Sequence, residues 1–315
     1  MTVGSLLIER QVLLANRLDV NLRDNHHINR LHRFGRFEVE GFGAWLRIAI
    51  GASVLVPTGS VVTSQRGARL WAAAVRRYLD IDEDIEGLHH IDRSTRYLVV
   101  PLHEGFSDVL MLGHLGLDLR FVVRDELLDW PWLGRAIRGS GQIVIRPEAT
   151  RAGFRELVEA VEESLGKGES PVVFPQGSIL GIEAAFQSGA FRLADRFGVQ
   201  VLPVVITGTH RVWEHPYTDR LRFGQRVSMR VLPPLQAGEA ESRMRDLERR
   251  MKQIALSPDT AGPRRFDPEH DGYWDDYRYS IDPDFTDVAS KVARHRARAL
   301  ATSHPWVGKP RSTPR

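Results

Sequence analysis

The chain has 315 residues, of which 42% are hydrophobic and 26% are charged. Such a composition supports a substantial buried core and excludes a disordered or fibrous protein. The formal net charge is only +3, so the chain as a whole is not a polycation. It contains no cysteine, which excludes disulfides, thiolate metal sites and cysteine nucleophiles and fits a reducing cytosolic setting.

Residues 1–92 are expected to form an N-terminal helical segment, because no strand-like alternation is evident there. Apolar residues at helical spacing predict helices over residues 6–22 and 69–79. A basic stretch over residues 25–36 precedes an apolar run over 42–56, a combination that suits an anionic lipid surface and equally an ordinary solvated helix beside a core helix. The run is shorter than the roughly 20 residues that a membrane-spanning helix needs, and the N-terminus lacks a signal-peptide cleavage site. We therefore predict no transmembrane helix and no signal peptide.

From about residue 93 the pattern changes to short apolar runs that alternate with helical stretches. Strands are predicted over residues 97–102, 119–123, 142–145, 171–174, 199–206 and 227–232. Helices are predicted over residues 107–117, 132–137, 149–165 and 189–197. Strands separated by helices predict an α/β catalytic domain over residues 93–236, with a largely parallel mixed sheet flanked by helices. Active sites in such sheets lie where strands end and helices begin.

Residues 237–315 form a third segment, with a charged helix predicted over 239–256 and an extended, surface-hugging stretch over 257–284. The last thirty residues contain a single acid, Asp287, and the basic residues Lys291, Arg294, Arg296, Arg298, Lys309, Arg311 and Arg315. A basic helix and tail of this kind suits a membrane surface or nucleic acid, although a solvated terminus is the commoner meaning. The sequence has no nucleic-acid reading motif, so we expect no nucleic-acid partner.

The strongest candidate for chemistry is the pair His103 and Asp108, which follows the buried strand predicted over residues 97–102. If a helix starts after Gly105, Ser107 is its natural N-cap and Asp108 lies in its first turn. A carboxylate there reaches back to a histidine on the incoming loop and fixes its tautomer, leaving the other ring nitrogen to take a proton. His103 is therefore predicted to be a general base.

The spacing alone is a weak signal, because the chain repeats it at His270 and Asp275. The second copy lies in a polar stretch with no apolar strand before it, and we assign it no function. A second buried strand, over residues 171–174, breaks into a turn with a glycine, Gly177, that lets backbone N–H groups approach a ligand closely.

Four blocks in this order resemble the glycerolipid acyltransferase family, whose members include bacterial 1-acylglycerol-3-phosphate acyltransferases. The blocks are His103-x-x-x-x-Asp108, then residues 141–146, then Phe174-Pro175-Gln176-Gly177-Ser178, then residues 201–204. The resemblance covers roughly residues 93–235.

The resemblance implies transfer of a fatty acyl chain from acyl-CoA or acyl carrier protein to a hydroxyl of a lysophospholipid-type acceptor. His103 would be the base and Asp108 would orient it. The implied substrate-binding residues are Arg146, Phe174, Pro175, Gln176, Gly177 and Ser178. Gly177 and its neighbouring amides would form an anion or oxyanion site. No metal, cofactor or covalent enzyme intermediate is implied beyond the thioester co-substrate, and the enzyme is expected to act as a peripheral or monotopic protein on the cytoplasmic face of the cell membrane.

Two departures bear on the acceptor. The family's third block usually reads Phe-Pro-Glu-Gly-Thr-Arg, whereas this chain has Gln176, Ser178 and Ile179 at the Glu, Thr and Arg positions. Its second block has Pro147 where the family usually has an arginine. Those arginines are associated with the phosphate of the acceptor, and isoleucine does not replace a bidentate guanidinium. Arg146, Arg151 or Arg211 are candidates to compensate.

Two further interpretations stay open. A water activated by His103 would make the chain a CoA-independent lipid transacylase or hydrolase on the same fold. The altered third block and the basic tail would also fit a non-catalytic lipid-binding scaffold, against which the intact pair of His103 and Asp108 argues.

Overall fold

The structure is a computed structural model that describes residues 41–129, 132–146, 151–213, 221–267 and 280–301. Its strands are β1 (Asp82–Glu86), β2 (Tyr97–Pro101), β3 (Leu119–Arg124), β4 (Ile143–Ile145), β5 (Ser170–Val172), β6 (Gln200–Thr207) and β7 (Arg226–Val231). Its helices are α1 (Gly41–Ser60), α2 (Gln65–Tyr78), α3 (Asp108–Met111), α4 (Leu133–Gly139), α5 (Arg151–Gly166), α6 (Gly189–Phe197), α7 (Thr209–Val212), α8 (Ala240–Ala255) and α9 (Thr286–Ala301). The predictions for residues 6–22 and 25–36 lie outside the described residues, as does the pair His270 and Asp275.

The strands form one seven-stranded sheet in the order β1-β7-β6-β2-β5-β3-β4. All neighbours pair in parallel except β6 and β7, which are antiparallel. The predicted α/β fold with a largely parallel sheet flanked by helices is therefore confirmed. Because β6 and β5 flank β2 in parallel, the carboxyl ends of these three strands meet at one edge of the sheet.

The prediction that residues 1–92 contain no strand is wrong, because β1 pairs in parallel with β7. Its sequence, Asp-Glu-Asp-Ile-Glu, carries no apolar alternation because this edge strand is held largely by charge. Asp84 lies 2.8 Å from both Arg226 and Arg230. The hydrogen bond from Arg230 holds the pKa of Asp84 at about 2, well below its usual range.

The core lies on both faces of the sheet, which explains why β2 is apolar at every position. Leu98 and Val100 pack on one face with residues of α5, α6 and α8, whereas Tyr97 and Val99 pack on the other with residues of α2 and α3. All four side chains are buried. Truncating one of them to alanine is expected to cost about 2–5 kcal/mol.

The carboxyl-terminal ends of two helices can be compared with the ends that the sequence predicts. α6 ends as predicted at Gly198, which has the left-handed φ of 63° that favours glycine at this position. α1 continues through Pro57 to Ser60, beyond the apolar run that the sequence indicates. Among the described helices, none combines the length and apolarity that a bilayer span requires.

The chain after α8 returns to the sheet as a segment that we call the C-terminal strap, residues 260–267. The strap contains no helix or strand. It lies against the loop that follows β5, where Ile182 N donates to Arg264 O at 3.0 Å and Phe266 N donates to Glu183 Oε2 at 2.8 Å. The buried α9 residues Val288 and Val292 pack in one apolar cluster with Phe266.

An ion cluster joins α8 to the segment before α9. Lys252 Nζ lies 2.7 Å from both Glu248 and Asp282, and it donates to Ala184 O at 2.9 Å. Arg245 pairs with the same two carboxylates. Burial by itself raises the pKa of Asp282, but the hydrogen bonds from Lys252, the Asp284 amide and Arg245, together with the charge of Lys252, outweigh burial and hold the pKa at about 2. This cluster therefore stabilises the C-terminal segment on the domain.

Candidate active site

The site is built around His103, which lies just past β2 at the edge where the parallel strands end. Its Nδ1 is 2.7 Å from Oδ2 of Asp108, the first residue of α3. The Asp108 side chain is fully buried, whereas that of His103 keeps 22% of its surface exposed. A carboxylate at this distance assigns the proton to Nδ1 and leaves Nε2 as the basic nitrogen of the ring.

Asp108 is itself held by the backbone around it. Oδ2 also accepts the amides of Glu104 at 2.8 Å and Gly105 at 3.1 Å, while Oδ1 accepts the hydroxyl of Thr209. These three donors hold the carboxylate of Asp108 in one orientation. The arrangement fixes the orientation of the imidazole of His103 and stabilises a positive charge on it.

The third block lies directly beside this pair because β5 neighbours β2. The ring of Phe174 stacks on the ring of His103 with 3.9 Å between centroids. The side chain of Gln176 accepts His103 N at 2.8 Å through Oε1 and donates to Gly181 O at 2.9 Å through Nε2. Both polar atoms of this buried amide are thus bonded to backbone groups.

The remainder of the block forms the turn after β5. Pro175 is buried, and its carbonyl accepts Gln187 N at 2.8 Å. Gly177 is exposed with a φ of 67°, and its amide closes the turn by donating to Phe174 O at 3.1 Å. Ser178 is buried and its hydroxyl accepts Leu180 N at 3.3 Å. Ile179, at the position of the family's arginine, is buried as well.

Arg146 follows β4 at the same edge of the sheet, two strands away from β5. Its side chain is 79% exposed, and its Nε is 4.0 Å from Oδ2 of Asp125. The structure therefore places a solvent-facing guanidinium on the edge that carries His103, without direct contact between them.

Sequence reasoning missed three residues that lie against the His103 turn. Thr209 bonds Asp108, His210 lies with Nδ1 3.0 Å from Oε2 of Glu104, and Glu104 itself is buried beside His103. Thr209 and His210 follow β6 after a single glycine, Gly208, so their place at the carboxyl end of a parallel strand was an available signal. Glu104 also follows a parallel strand, but its burial was not indicated by the sequence, because an acid in a turn is usually solvated.

The electrostatics of Glu104 differ from those of a surface acid. Burial raises the pKa of Glu104, and the hydrogen bond and charge of His210 offset part of that rise. Its oxygens accept Gly208 N at 2.8 Å and Arg264 N at 3.1 Å. A buried carboxylate that is fully engaged in this way fixes the position of the groups that surround it.

The sheet carries the His–Asp pair and the turn beside it at its carboxyl edge, which is the arrangement that the resemblance to the glycerolipid acyltransferases implies. Residues 83–207 match the family model described as Acyltransferase. Chloroplastic 1-acyl-sn-glycerol-3-phosphate acyltransferase LPAT1 of Arabidopsis thaliana is 30% identical over 177 residues, which are 55% of this chain and 49% of that protein. The human 1-acyl-sn-glycerol-3-phosphate acyltransferase alpha is 26% identical over 204 residues, 63% of this chain and 71% of that protein.

The crystal structure of the 1-acyl-sn-glycerophosphate acyltransferase PlsC from Thermotoga maritima superposes with a TM-score of 0.51 at 20% identity, covering 67% of this chain and 95% of that one. This superposition shows that the two proteins share a fold. The chain spans about half the length of the plant relatives it matches. Together these matches confirm the resemblance to the glycerolipid acyltransferase family that the four blocks indicate.

Proposed function

We propose that this protein transfers a fatty acyl chain from the thioester of acyl-CoA or acyl carrier protein to the free hydroxyl of a 1-acylglycerol-3-phosphate. The observation that carries the proposal is the His103–Asp108 pair, 2.7 Å apart, at the carboxyl edge of the sheet. The similar proteins named as 1-acyl-sn-glycerol-3-phosphate acyltransferases support this acceptor. The reaction takes no cofactor other than the thioester co-substrate.

The proposed mechanism uses His103 first as a base and then as an acid. Nε2 removes the proton of the acceptor hydroxyl while its oxygen attacks the thioester carbonyl carbon. The tetrahedral intermediate then collapses, the carbon–sulfur bond breaks, and the imidazolium returns its proton to the leaving thiolate. Asp108 stabilises the imidazolium in between. A positioned base of this kind contributes about 10² to 10⁴ in rate.

The intermediate carries an oxyanion that requires N–H donors. Gly177 N is engaged by Phe174 O, whereas the amides of Ser178 and Ile179 donate to no acceptor in the described part of the chain. We assign these two amides as candidate oxyanion donors, with Gly177 supplying the exposed turn that lets the ester approach.

The phosphate of the acceptor needs a cation, and Ile179 cannot supply it. Arg146 is the candidate among the substrate-binding residues, since its guanidinium is solvent-facing on the edge that carries His103. A phosphate would compete with Asp125, which is 4.0 Å away and forms only a loose pair.

The apolar face of α1 supports a position on a membrane surface. Leu46, Ile50 and Val54 recur at every fourth position, and they are 42%, 57% and 54% exposed. An apolar helical face of this kind inserts shallowly at the boundary between head groups and acyl chains. We assign α1 as a monotopic contact with the cytoplasmic face of the cell membrane, where lysophospholipid acceptors reside.

An acceptor screen tests the function. Purified protein is given labelled acyl-CoA or acyl carrier protein with 1-acylglycerol-3-phosphate, lysolipids with other head groups, or glycolipids. The expected product is a diacylglycerol-3-phosphate, and its absence with every donor would refute the proposal. Free fatty acid as the main product would favour the hydrolase instead.

The role of Arg146 is tested with Arg146→Gln. We expect it to raise the KM for the phosphate acceptor about tenfold, since one charge-assisted hydrogen bond contributes about 1.5–3 kcal/mol. Arg243→Gln is the matched control, because Arg243 is comparably exposed and follows β7, away from His103. Equal KM values for the two variants would exclude Arg146 from phosphate binding.

A further inference from the structure

Glu104, the residue after His103, connects the turn that carries His103 to the end of β6 and to the C-terminal strap. It is 3% exposed, and its oxygens accept Gly208 N at 2.8 Å and Arg264 N at 3.1 Å. His210 Nδ1 lies 3.0 Å from Oε2. The turn that carries His103 is therefore bonded both to the end of β6 and to the C-terminal strap.

The strap is also linked to His103 indirectly, through Gly181 and Gln176. Gln176 connects His103 N to Gly181 O. The strap packs so closely on Gly181 that a Cβ at this position would lie 2.7 Å from Phe266 N. Glu104 and Gln176 thus provide two separate links between the strap and the turn that carries His103.

Neither Glu104 nor the strap is explained by the proposed reaction. Glu104 bonds backbone amides and His210, and the base already has its carboxylate partner in Asp108. The strap lies outside residues 83–207, the part that matches the family model. Its contacts include the hydrogen bond from Arg264 N to Glu104 on the turn of the base and several hydrogen bonds to the loop after β5.

We infer that the C-terminal strap is a working part of the active site and that Glu104 is the positioning residue through which it holds His103. This inference rests on the proposed function, since it concerns the base of that reaction. Glu104 does not touch the reacting atoms; it keeps the backbone of the turn, and with it Nε2, at a fixed place relative to the bound hydroxyl. A displacement of about 1 Å at a reacting group costs up to about 10²-fold in rate.

Glu104→Gln is the test variant, because glutamine keeps the shape but has one acceptor oxygen. Its NH₂ group must face the amide of either Gly208 or Arg264, so one backbone donor loses its acceptor. Glu183→Gln is the matched control. Glu183 is equally buried, and a glutamine oxygen there still accepts Phe266 N, so only the pair with the half-exposed Arg265 is lost.

Steady-state transfer from labelled acyl-CoA to 1-acylglycerol-3-phosphate is measured for both variants, with their thermal midpoints. We expect Glu104→Gln to lower kcat about 10- to 100-fold with KM values within twofold of the unmodified protein. Glu183→Gln should keep kcat within threefold. Amide hydrogen exchange in residues 260–267 should accelerate in Glu104→Gln at temperatures where the sheet stays protected.

Equal kcat values for the two variants would overturn the inference while leaving the acyltransferase proposal intact. Inactivity of the unmodified protein with every donor and acceptor would instead refute the proposed function. If Glu104→Gln fails to fold, Arg264→Pro, which lacks the N–H that Glu104 accepts, is compared with Arg264→Ala, which retains it. The inference then requires kcat of the proline variant to be at least tenfold lower, and equality would overturn it.

Discussion

Gln176→Glu restores the residue that the family's third block usually carries. We nevertheless expect this substitution to lower the free energy of unfolding of this protein. Gln176 accepts His103 N through Oε1 and donates to Gly181 O through Nε2. A carboxylate retains the first bond but cannot donate, so its second oxygen would face Gly181 O at about the present 2.9 Å. The site requires one acceptor and one donor, which an amide supplies and an ionised acid does not.

The expected magnitude follows from burial. Leaving a buried acceptor without its donor costs about 1–3 kcal/mol, and Gln176 is only 3% exposed. A protonated glutamic acid can donate to Gly181 O, so the substituted side chain should titrate with a raised pKa. A raised folded-state pKa means that stability is retained below the unfolded pKa of about 4.3 and is lost as pH rises through the folded pKa. The unfolding free energy that is lost is about 1.4 kcal/mol for each unit by which the folded and unfolded pKa values differ.

Urea unfolding at pH 5 and pH 8 provides the measurement. We expect Gln176→Glu to lose about 3 kcal/mol at pH 8 and markedly less at pH 5, with acyl transfer declining in parallel. Gln187→Glu is the control, since it makes the same chemical change at an exposed position after the same turn. Equal unfolding free energies of the two variants at both pH values would refute the requirement for a donor at residue 176.

Three further outcomes are expected. Asp108→Asn should lower kcat about 10²- to 10⁴-fold in steady-state assays, because an amide no longer favours the proton on Nδ1 or stabilises the imidazolium; kcat within threefold would contradict the assigned tautomer. Asp282→Asn should cost about 3 kcal/mol in urea unfolding at pH 7, since it removes one of the two carboxylates that pair with the buried Lys252. The folded pKa of Asp282 is depressed to about 2, so its contribution to the free energy of unfolding is present above about pH 4 and disappears toward pH 2. The unfolding free energy of the variant should therefore fall less steeply than that of the unmodified protein as the pH decreases from about 4 to about 2. Ile50→Ser should weaken sedimentation with anionic vesicles about tenfold, whereas Leu256→Ser, at the exposed residue that follows α8, should not; equal losses would remove α1 from the membrane contact.

The sheet could be predicted because its central strands are buried on both faces. β2 and β6 are nearly continuous apolar runs, and such runs separated by helices indicate a parallel sheet. β1 could not be predicted, because its partners are arginines on β7 rather than apolar neighbours along its own sequence. Edge strands held by charge carry no periodic signal.

The proximity of the candidate site residues was predictable for a similar reason. His103 and Phe174 follow neighbouring parallel strands, so their meeting at one edge is a consequence of topology. The contacts of Glu104 were not predictable, since Arg264 lies 160 residues further along the chain. That distance is bridged only by the path of the strap, which depends on packing rather than on local pattern.

The most direct measurement of the central claim is acyl transfer by His103→Ala under conditions where the unmodified protein forms diacylglycerol-3-phosphate. Circular dichroism and the thermal midpoint establish that the variant is folded, which is expected because the His103 ring is partly exposed and packs mainly on Phe174. If Nε2 of His103 removes the proton of the acceptor hydroxyl, the folded variant loses transfer by about 10²-fold or more. A folded variant that keeps transfer within threefold of the unmodified rate would contradict the account.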